Sequence, residues 1–298
     1  MATGGGTVKR AVAAAAVTGL MGVLILFSPL AREGAKIGLT LCGETVIPSL
    51  LPVLACGNIL VLSDSRSVFE RLLGGFTERV LRLPRAATAA ILFGLICGYP
   101  AGALLTAAIH KQGCITETDA KRIMRFNFGG GAAFTVTAVG SGVYRSTAIG
   151  GVLLCISVLS GLFIAAADAL FHRKDTGSRL SADLPTNSVL DALPQAVEST
   201  VRALAVMSAY IVLFCAFMNL APLPDWLLPL LEITSGVCRS PLPLPYAAFF
   251  LNFGGICVHL QLLSPLKKMH VAYRTFLFGR LSAGVLSFAM ATKMVCFI

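Results

Sequence analysis

Charge is scarce in this sequence. Asp, Glu, Lys and Arg together make up 13% of its 298 residues, where soluble domains carry about a quarter. Histidine occurs four times, at positions isolated from one another, and tryptophan once, at Trp226. So few charges beside 56% hydrophobic residues and a mean hydropathy of +0.82 exclude water as the main solvent, and they exclude disorder, which needs low hydrophobicity. No HExxH or GxSxG motif is present, and the carboxylates are not paired at a spacing suited to acid–base work. The chain therefore reads as a non-enzyme with no catalytic set, no metal site and no cofactor. The nine cysteines, Cys42, Cys56, Cys97, Cys114, Cys155, Cys215, Cys238, Cys257 and Cys296, show no CxxC spacing. They read as small apolar residues packed between helices, rather than as a zinc site or a disulfide scaffold. The net charge of +10 is not the footprint of a nucleic-acid binder, because Lys and Arg do not cluster on a soluble face. Short cytoplasmic loops of a membrane protein supply such an excess.

What the sequence does have is apolar runs long enough to cross a bilayer, for which roughly 20 residues are needed. Residues 11–30 read as a first membrane helix after Lys9 and Arg10. An amphipathic piece at 33–45 leads into an apolar span at 46–62, kinked by Pro48 and Pro52. The arginine-rich stretch 64–85 is the strongest sign of a cytoplasmic loop. Residues 86–109 are apolar but broken at 98–102 (GYPAG). Thr116 and Asp119 read as a capping box for a short helix carrying Lys121, Arg122 and Arg125. A second interruption follows at 127–131 (NFGGG), then a strong span at 148–170. If the chain re-enters at 98–102, the basic residues around Arg122 stay on the cytoplasmic side, as the positive-inside rule asks.

The polar stretch 172–188 divides the chain into two halves, 31–171 and 189–298, within a single integral membrane domain, 1–298. The second half offers spans at 203–220, 246–263 and 275–297 and a short apolar piece at 226–237 interrupted by Glu232 and Gly236. Both halves carry a span that opens after a proline and breaks at glycine: Pro84 leads to Gly98, and Pro245 leads to Gly254 and Gly255. The expected fold is thus an all-α, polytopic transmembrane bundle of about seven or eight spans, with interrupted or re-entrant helices and a two-fold internal repeat. Interrupted segments at matching places in two halves are the usual sequence pointer to a transporter site.

Backbone that unwinds inside a bilayer survives only where protein or a watery cavity surrounds it, so the breaks supply the candidate residues. Gly98, Tyr99, Pro100 and Gly102 join free backbone to an aromatic hydroxyl. Asn127, Gly129 and Gly130 are placed to open a helix whose amides face an anion. Asn252 and His259 fall, with Gly255, on one face if the helix runs through them, and His259 titrates in the range of a coupling proton. Glu232 is an acid in an apolar piece, either in a cavity or solvated by headgroups. Trp226 reads as an interface anchor. The partners expected are the lipid bilayer, a small anion or nucleoside-like solute, a coupling ion (proton or sodium) and a second copy in a homo-oligomer, with no nucleic acid.

Segments 44–52 (ETVIPSLLP), 98–102, 127–134 (NFGGGAAF), 231–236 (LEITSG) and 253–261 (FGGICVHLQ) together resemble the YlbJ-type sporulation integral membrane proteins. This family is also called stage V sporulation protein VV and is grouped with nucleoside-recognition or Gate domain membrane proteins. The resemblance implies a fold like that of nucleoside transporters, a place in the cell membrane or the outer forespore membrane of a spore-forming bacterium, and translocation of dipicolinate. The family pattern at the second break is usually NNSGP, from which Phe128 and Gly131 depart. A non-transporting scaffold of a spore-envelope complex is the other reading of the same segments.

Overall fold

The computed structural model describes residues 4–172, 187–239 and 242–296. Within them every regular element is helical. In chain order these are α1 (Gly4–Leu26), α2 (Ser28–Leu41), α3 (Ile47–Leu62), α4 (Arg66–Arg79), α5 (Thr88–Cys97), α6 (Ala101–Lys111), α7 (Glu117–Ile123), α8 (Thr147–Phe171), α9 (Val189–Met218), α10 (Leu228–Leu231), α11 (Ile233–Arg239), α12 (Leu244–Phe253), α13 (Ile256–Lys268) and α14 (Tyr273–Val295). A π-helical turn, Cys42–Val46, joins α2 to α3, and a longer π-helix, Ala133–Val143, precedes α8. Most of 172–188, the stretch between the two expected halves, lies outside the described residues, as does the end of the last expected span.

By length and composition, five helical segments can cross a bilayer: Ser28–Leu62, Thr147–Phe171, Val189–Met218, Leu244–Lys268 and Tyr273–Val295. Shorter apolar helices, Arg10–Leu26, Arg85–Cys97 and Ala133–Val143, stand beside them. The exposed side chains on these segments include Leu159, Phe163, Leu170, Leu213 and Phe278. Apolar side chains turned outward on long apolar helices are what a lipid-facing surface requires, and the chain is a multi-pass membrane protein.

Two expected spans are redrawn. The first ends at Leu26, not at residue 30, because Pro29 has no amide hydrogen to donate and is accommodated in the first turn of a new helix, α2. The amphipathic piece at 33–45 and the apolar piece at 46–62 are instead one run of 35 residues. Pro48 has no N–H to donate to the Glu44 carbonyl, and the widened turn Cys42–Val46 just ahead of it absorbs the mismatch. Gly34 and Gly38, spaced as GxxxG, seat α2 on α9: added Cβ atoms would lie 2.3 Å from Cys215 O and 2.8 Å from Val212 Cα. The π-helix and α8 meet in the same way, through Gly140 and Gly150.

The capping box of α7 forms as expected. Asp119 N donates to Thr116 Oγ1 at 3.1 Å, and Thr116 N donates to Asp119 Oδ2 at 3.0 Å. On its solvated side, a hydrogen bond from Lys121 Nζ, at 2.5 Å, holds the Glu117 carboxyl below the ordinary carboxylate range. Arg122, expected with Lys121 and Arg125 on a short basic helix at the cytoplasmic side, turns inward and is buried. Its Nε donates to Asp168 Oδ2 at 2.8 Å, Nη2 to Leu81 O at 2.7 Å and Nη1 to Arg82 O at 2.6 Å. Arg125 pairs with the other oxygen of Asp168. One carboxylate thus fastens α7 and the segment after α4 to the end of α8.

Removing one partner of a buried pair strands the other charge, at a cost of about 3–5 kcal/mol. Asp168→Ala is therefore expected to lower the unfolding midpoint of the purified protein far more than Glu117→Ala, which breaks only a solvent-screened surface pair. Denaturant unfolding followed by circular dichroism in one detergent compares the two; equal shifts would remove Asp168 from this role.

Candidate functional site

The break at 98–102 turns the chain back on itself. Asn127 Nδ2 lies 3.1 Å from Ala90 O on α5, 3.4 Å from Gly102 O and 3.5 Å from Thr106 Oγ1 on α6. One amide nitrogen reaches both helices only if they lie side by side, so α5 and α6 form a helical hairpin with Tyr99 and Pro100 at its tip. Gly94 leaves the space that the Asn127 carboxamide fills, since a Cβ there would sit 2.4 Å from it. Asn127 is fully buried and clamps the hairpin rather than opening a helix toward a ligand.

The glycine loop closes over the tip. Tyr99 N donates to Gly129 O at 2.9 Å and Gly130 N to Leu251 O at 2.9 Å. A Cβ on Gly98, whose φ is +74°, would fall 2.1 Å from Gly131 N, and one on Gly131 would fall 2.1 Å from Cys97 O. Backbone meets backbone here with no side chain between. The Tyr99–Pro100 peptide is cis.

A second hairpin is made by α10 and α11, with Gly236 lying against Leu228 and Pro229. Glu232 is its tip. It is completely buried, which is at odds with the headgroup-solvated alternative, and it does not border the cavity described below. Its carboxylate accepts from Thr234 N at 3.0 Å and Ser235 N at 2.6 Å, capping the first turn of α11. Gly255 packs on this tip, where a Cβ would lie 2.9 Å from Ile233 N.

The helix at 246–263 does break, at Gly254 with φ +80°. Asn252 and His259 consequently stand on two helices, α12 and α13, and not on one continuous face. Ser157 Oγ donates to Asn252 Oδ1 at 2.7 Å, and Asn252 Nδ2 donates back to Ala248 O at 3.1 Å. His259 Nε2 lies 2.9 Å from Phe253 O, a carbonyl freed by the break, and Nδ1 lies 2.9 Å from the Tyr273 hydroxyl. A carbonyl only accepts, so Nε2 carries the proton, and the neutral tautomer satisfies both contacts. The proline-to-glycine echo between the halves also has different sequels: α6 folds back along α5, whereas α13 runs on from α12.

Between the two tips lies a cavity of about 10 Å³, the room of a single water. It is bordered by Cys97 and Tyr99 of the first tip, Thr234 of the second, Gly131 and Phe134, Val46, Ser49 and Leu50, and Met207 of α9. Of the ten candidate residues only Tyr99 borders it. Its hydroxyl is buried and has no hydrogen-bond partner. Gly98, Pro100, Gly102, Asn127, Gly129 and Gly130 build the packing behind Tyr99, while Glu232, Asn252 and His259 hold the neighbouring breaks. Residue-by-residue reading missed Ser49, Thr234 and Met207, which look like ordinary span residues. It also missed Arg280, a fully buried arginine whose signal was a lone charge within an apolar span.

Packing this close leaves no room for a methyl group. Gly98→Ala and Gly131→Ala are each expected to cost several kcal/mol, or to abolish the folded protein, through backbone clash and, at Gly98, positive φ. Gly75→Ala, in open space within α4, should be neutral or stabilise by up to about 1 kcal/mol. Size-exclusion profiles and melting midpoints in detergent separate these outcomes, and a well-folded Gly131→Ala would contradict the packing.

No family model matches the chain, and no solved structure matches it. Among curated proteins, the "Sporulation integral membrane protein YlbJ" of Bacillus subtilis (strain 168) is 27% identical over 304 aligned residues, spanning 85% of this chain and 74% of that protein. Four of the five segments that carry the resemblance, 44–52, 98–102, 127–134 and 231–236, contribute residues to the cavity wall. The fifth, 253–261, packs on the second tip through Gly255. The chain is thus similar, over most of its length, to a YlbJ-type sporulation integral membrane protein.

Proposed function

We propose that this protein carries a small anionic or nucleoside-like solute across a membrane during sporulation, and that the solute is dipicolinate, passed through the outer forespore membrane. The observation that carries this reading is the meeting of two hairpin tips, each backed by a glycine break, at a cavity with an unpaired tyrosine hydroxyl. A buried hydroxyl without a partner costs free energy unless something else pairs with it. A solute offering an acceptor is that partner. The likeness to a relative named for sporulation supports the biological setting.

The cavity is too small for such a solute, because ligand pockets run to about 300–1,000 Å³. The conformation described is therefore a closed one, and entry requires the tips to part. In this reading the two hairpins belong to duplicated halves, 31–171 and 189–298, that move against each other around a fixed site. Pairing the α5–α6 hairpin with the α10–α11 hairpin, and the Gly129–Gly131 loop with the Gly254–Gly255 break, expresses that duplication better than the proline-to-glycine echo. Glu232 has no cationic partner among the described residues, and it serves here as the site of a coupling proton or sodium ion.

The test is uptake of labelled dipicolinate, with a nucleoside as comparison, into vesicles containing purified wild type or Tyr99→Phe. The phenylalanine removes no intramolecular hydrogen bond, so the melting midpoint should hold. One lost bond to a charged solute corresponds to about 1.5–3 kcal/mol, or roughly 10- to 150-fold in uptake efficiency. Saturable uptake lowered by that factor in Tyr99→Phe supports the carrier. Inserted, folded wild type that takes up neither compound would instead favour the scaffold of a spore-envelope complex.

A further inference from the structure

Arg280 heads the largest fully buried side chains and stands about a third of the way along α14. No carboxylate among the described residues pairs with it; its hydrogen-bond acceptors are all backbone carbonyls. Nη2 donates to Arg125 O at 2.6 Å, while Nη1 donates to Phe128 O and reaches Asn252 O at 3.4 Å. Nε has no partner. The guanidinium carbon lies 4.7 Å from the centre of the Phe128 ring and 5.7 Å from that of Phe276. Gly279 makes the approach possible, since a Cβ there would sit 2.4 Å from Arg125 O.

A guanidinium remains protonated in proteins, so the core holds a positive charge balanced only by carbonyl dipoles and ring faces. Uncompensated buried charge is costly, and in membrane proteins it marks a solute or ion path. The charge also sits close to the cavity. The Phe128 ring that Arg280 covers is 5.1 Å from the ring of Tyr99, the cavity-lining residue. That chain of contacts puts the guanidinium within about 10 Å of the Tyr99 ring, and at this range in a protein interior one unit charge alters the affinity for another on the order of tenfold.

Resting on the carrier reading above, we infer that Arg280 is the residue that makes the site select anions. Its three carbonyls hold the guanidinium in the closed state, and the field of the unbalanced charge favours a negatively charged solute at the hairpin tips over a neutral one of the same shape. Because the same contacts pin the chain at Arg125 and Phe128 to α14 and Asn252, Arg280 is also a positioning residue for the glycine loop.

The experiment is equilibrium binding of dipicolinate and of its neutral diamide to purified full-length protein in nanodiscs, for wild type, Arg280→Lys and Arg280→Met. Wild type should favour the dianion, Arg280→Lys should keep that preference with weaker binding of both, and Arg280→Met should lose about tenfold or more of it while still binding the diamide. Should Arg280→Met fail to fold, Arg280→Gln, which retains a donor for Phe128 O, takes its place with the same expectation. A preference unchanged in the neutral variant overturns the inference, as does equal loss of both ligands or a wild type that binds neither. Binding does not depend on turnover, so vesicle uptake that proceeds with no dependence on Arg280 would sink this inference alone and leave the carrier standing.

Discussion

A backbone that leaves its helix inside a membrane finds no water to satisfy it, and this constraint organises the centre of the protein. At the first hairpin tip it is met by contact between backbones. Tyr99 N bonds Gly129 O, and the surfaces of Cys97, Gly98 and Gly131 touch without an intervening Cβ. At the second tip it is met by a side chain, the carboxylate of Glu232 lying over the amides of Thr234 and Ser235. At the third break His259 takes up the carbonyl of Phe253. Each of these three breaks has its own device: the first joins segments about 30 residues apart, and the other two are local contacts.

Those devices explain where the polar residues of an otherwise apolar chain are used. Ser157 and Asn252 tie α8 to α12, Ser287 donates to Ser160 to tie α14 to α8 at 3.0 Å, and Asn58 donates to Thr200 to tie α3 to α9 at 2.9 Å. In a membrane apolar contact does not distinguish a neighbouring helix from lipid, so small residues and hydrogen bonds decide which helices pair. Gly34 and Gly38 against α9 belong to the same logic.

The helical, membrane-spanning character was legible because apolar run length and the positions of proline and glycine act locally. The capping box at Thr116 and the breaks at Gly98 and Gly254 were legible for the same reason. What was hidden depends on pairing across the chain. Nothing near Arg122 in the sequence announces Asp168, 46 residues away, so one half of a buried pair looked like part of the cytoplasmic charge of a short basic helix. Asn127 looked like the start of a ligand-binding helix because its partners, Ala90 and Thr106, belong to a hairpin that only tertiary packing creates. The bend after α1 and the unbroken run from α2 into α3 turned on how Pro29 and Pro48 are accommodated, which periodicity does not disclose. The cavity was legible only through the segments that carry the resemblance, since Ser49, Thr234 and Met207 have no chemistry of their own to mark them.

The clamp that Asn127 places across both arms of the first hairpin has a mechanical consequence. Its carboxamide is bonded to α5 and α6 while its backbone amide is bonded to Ile123 O, and the loop beyond it is bonded to Tyr99. The hairpin, the end of α7 and the glycine loop are therefore cross-linked into one hydrogen-bonded block. The second hairpin shares none of these bonds. Across to α12 the loop itself has a single main-chain bond, from Gly130 to Leu251, which Arg280 reinforces from α14. A movement of the second hairpin away from that block breaks none of the bonds just named, and the cavity lies between the two.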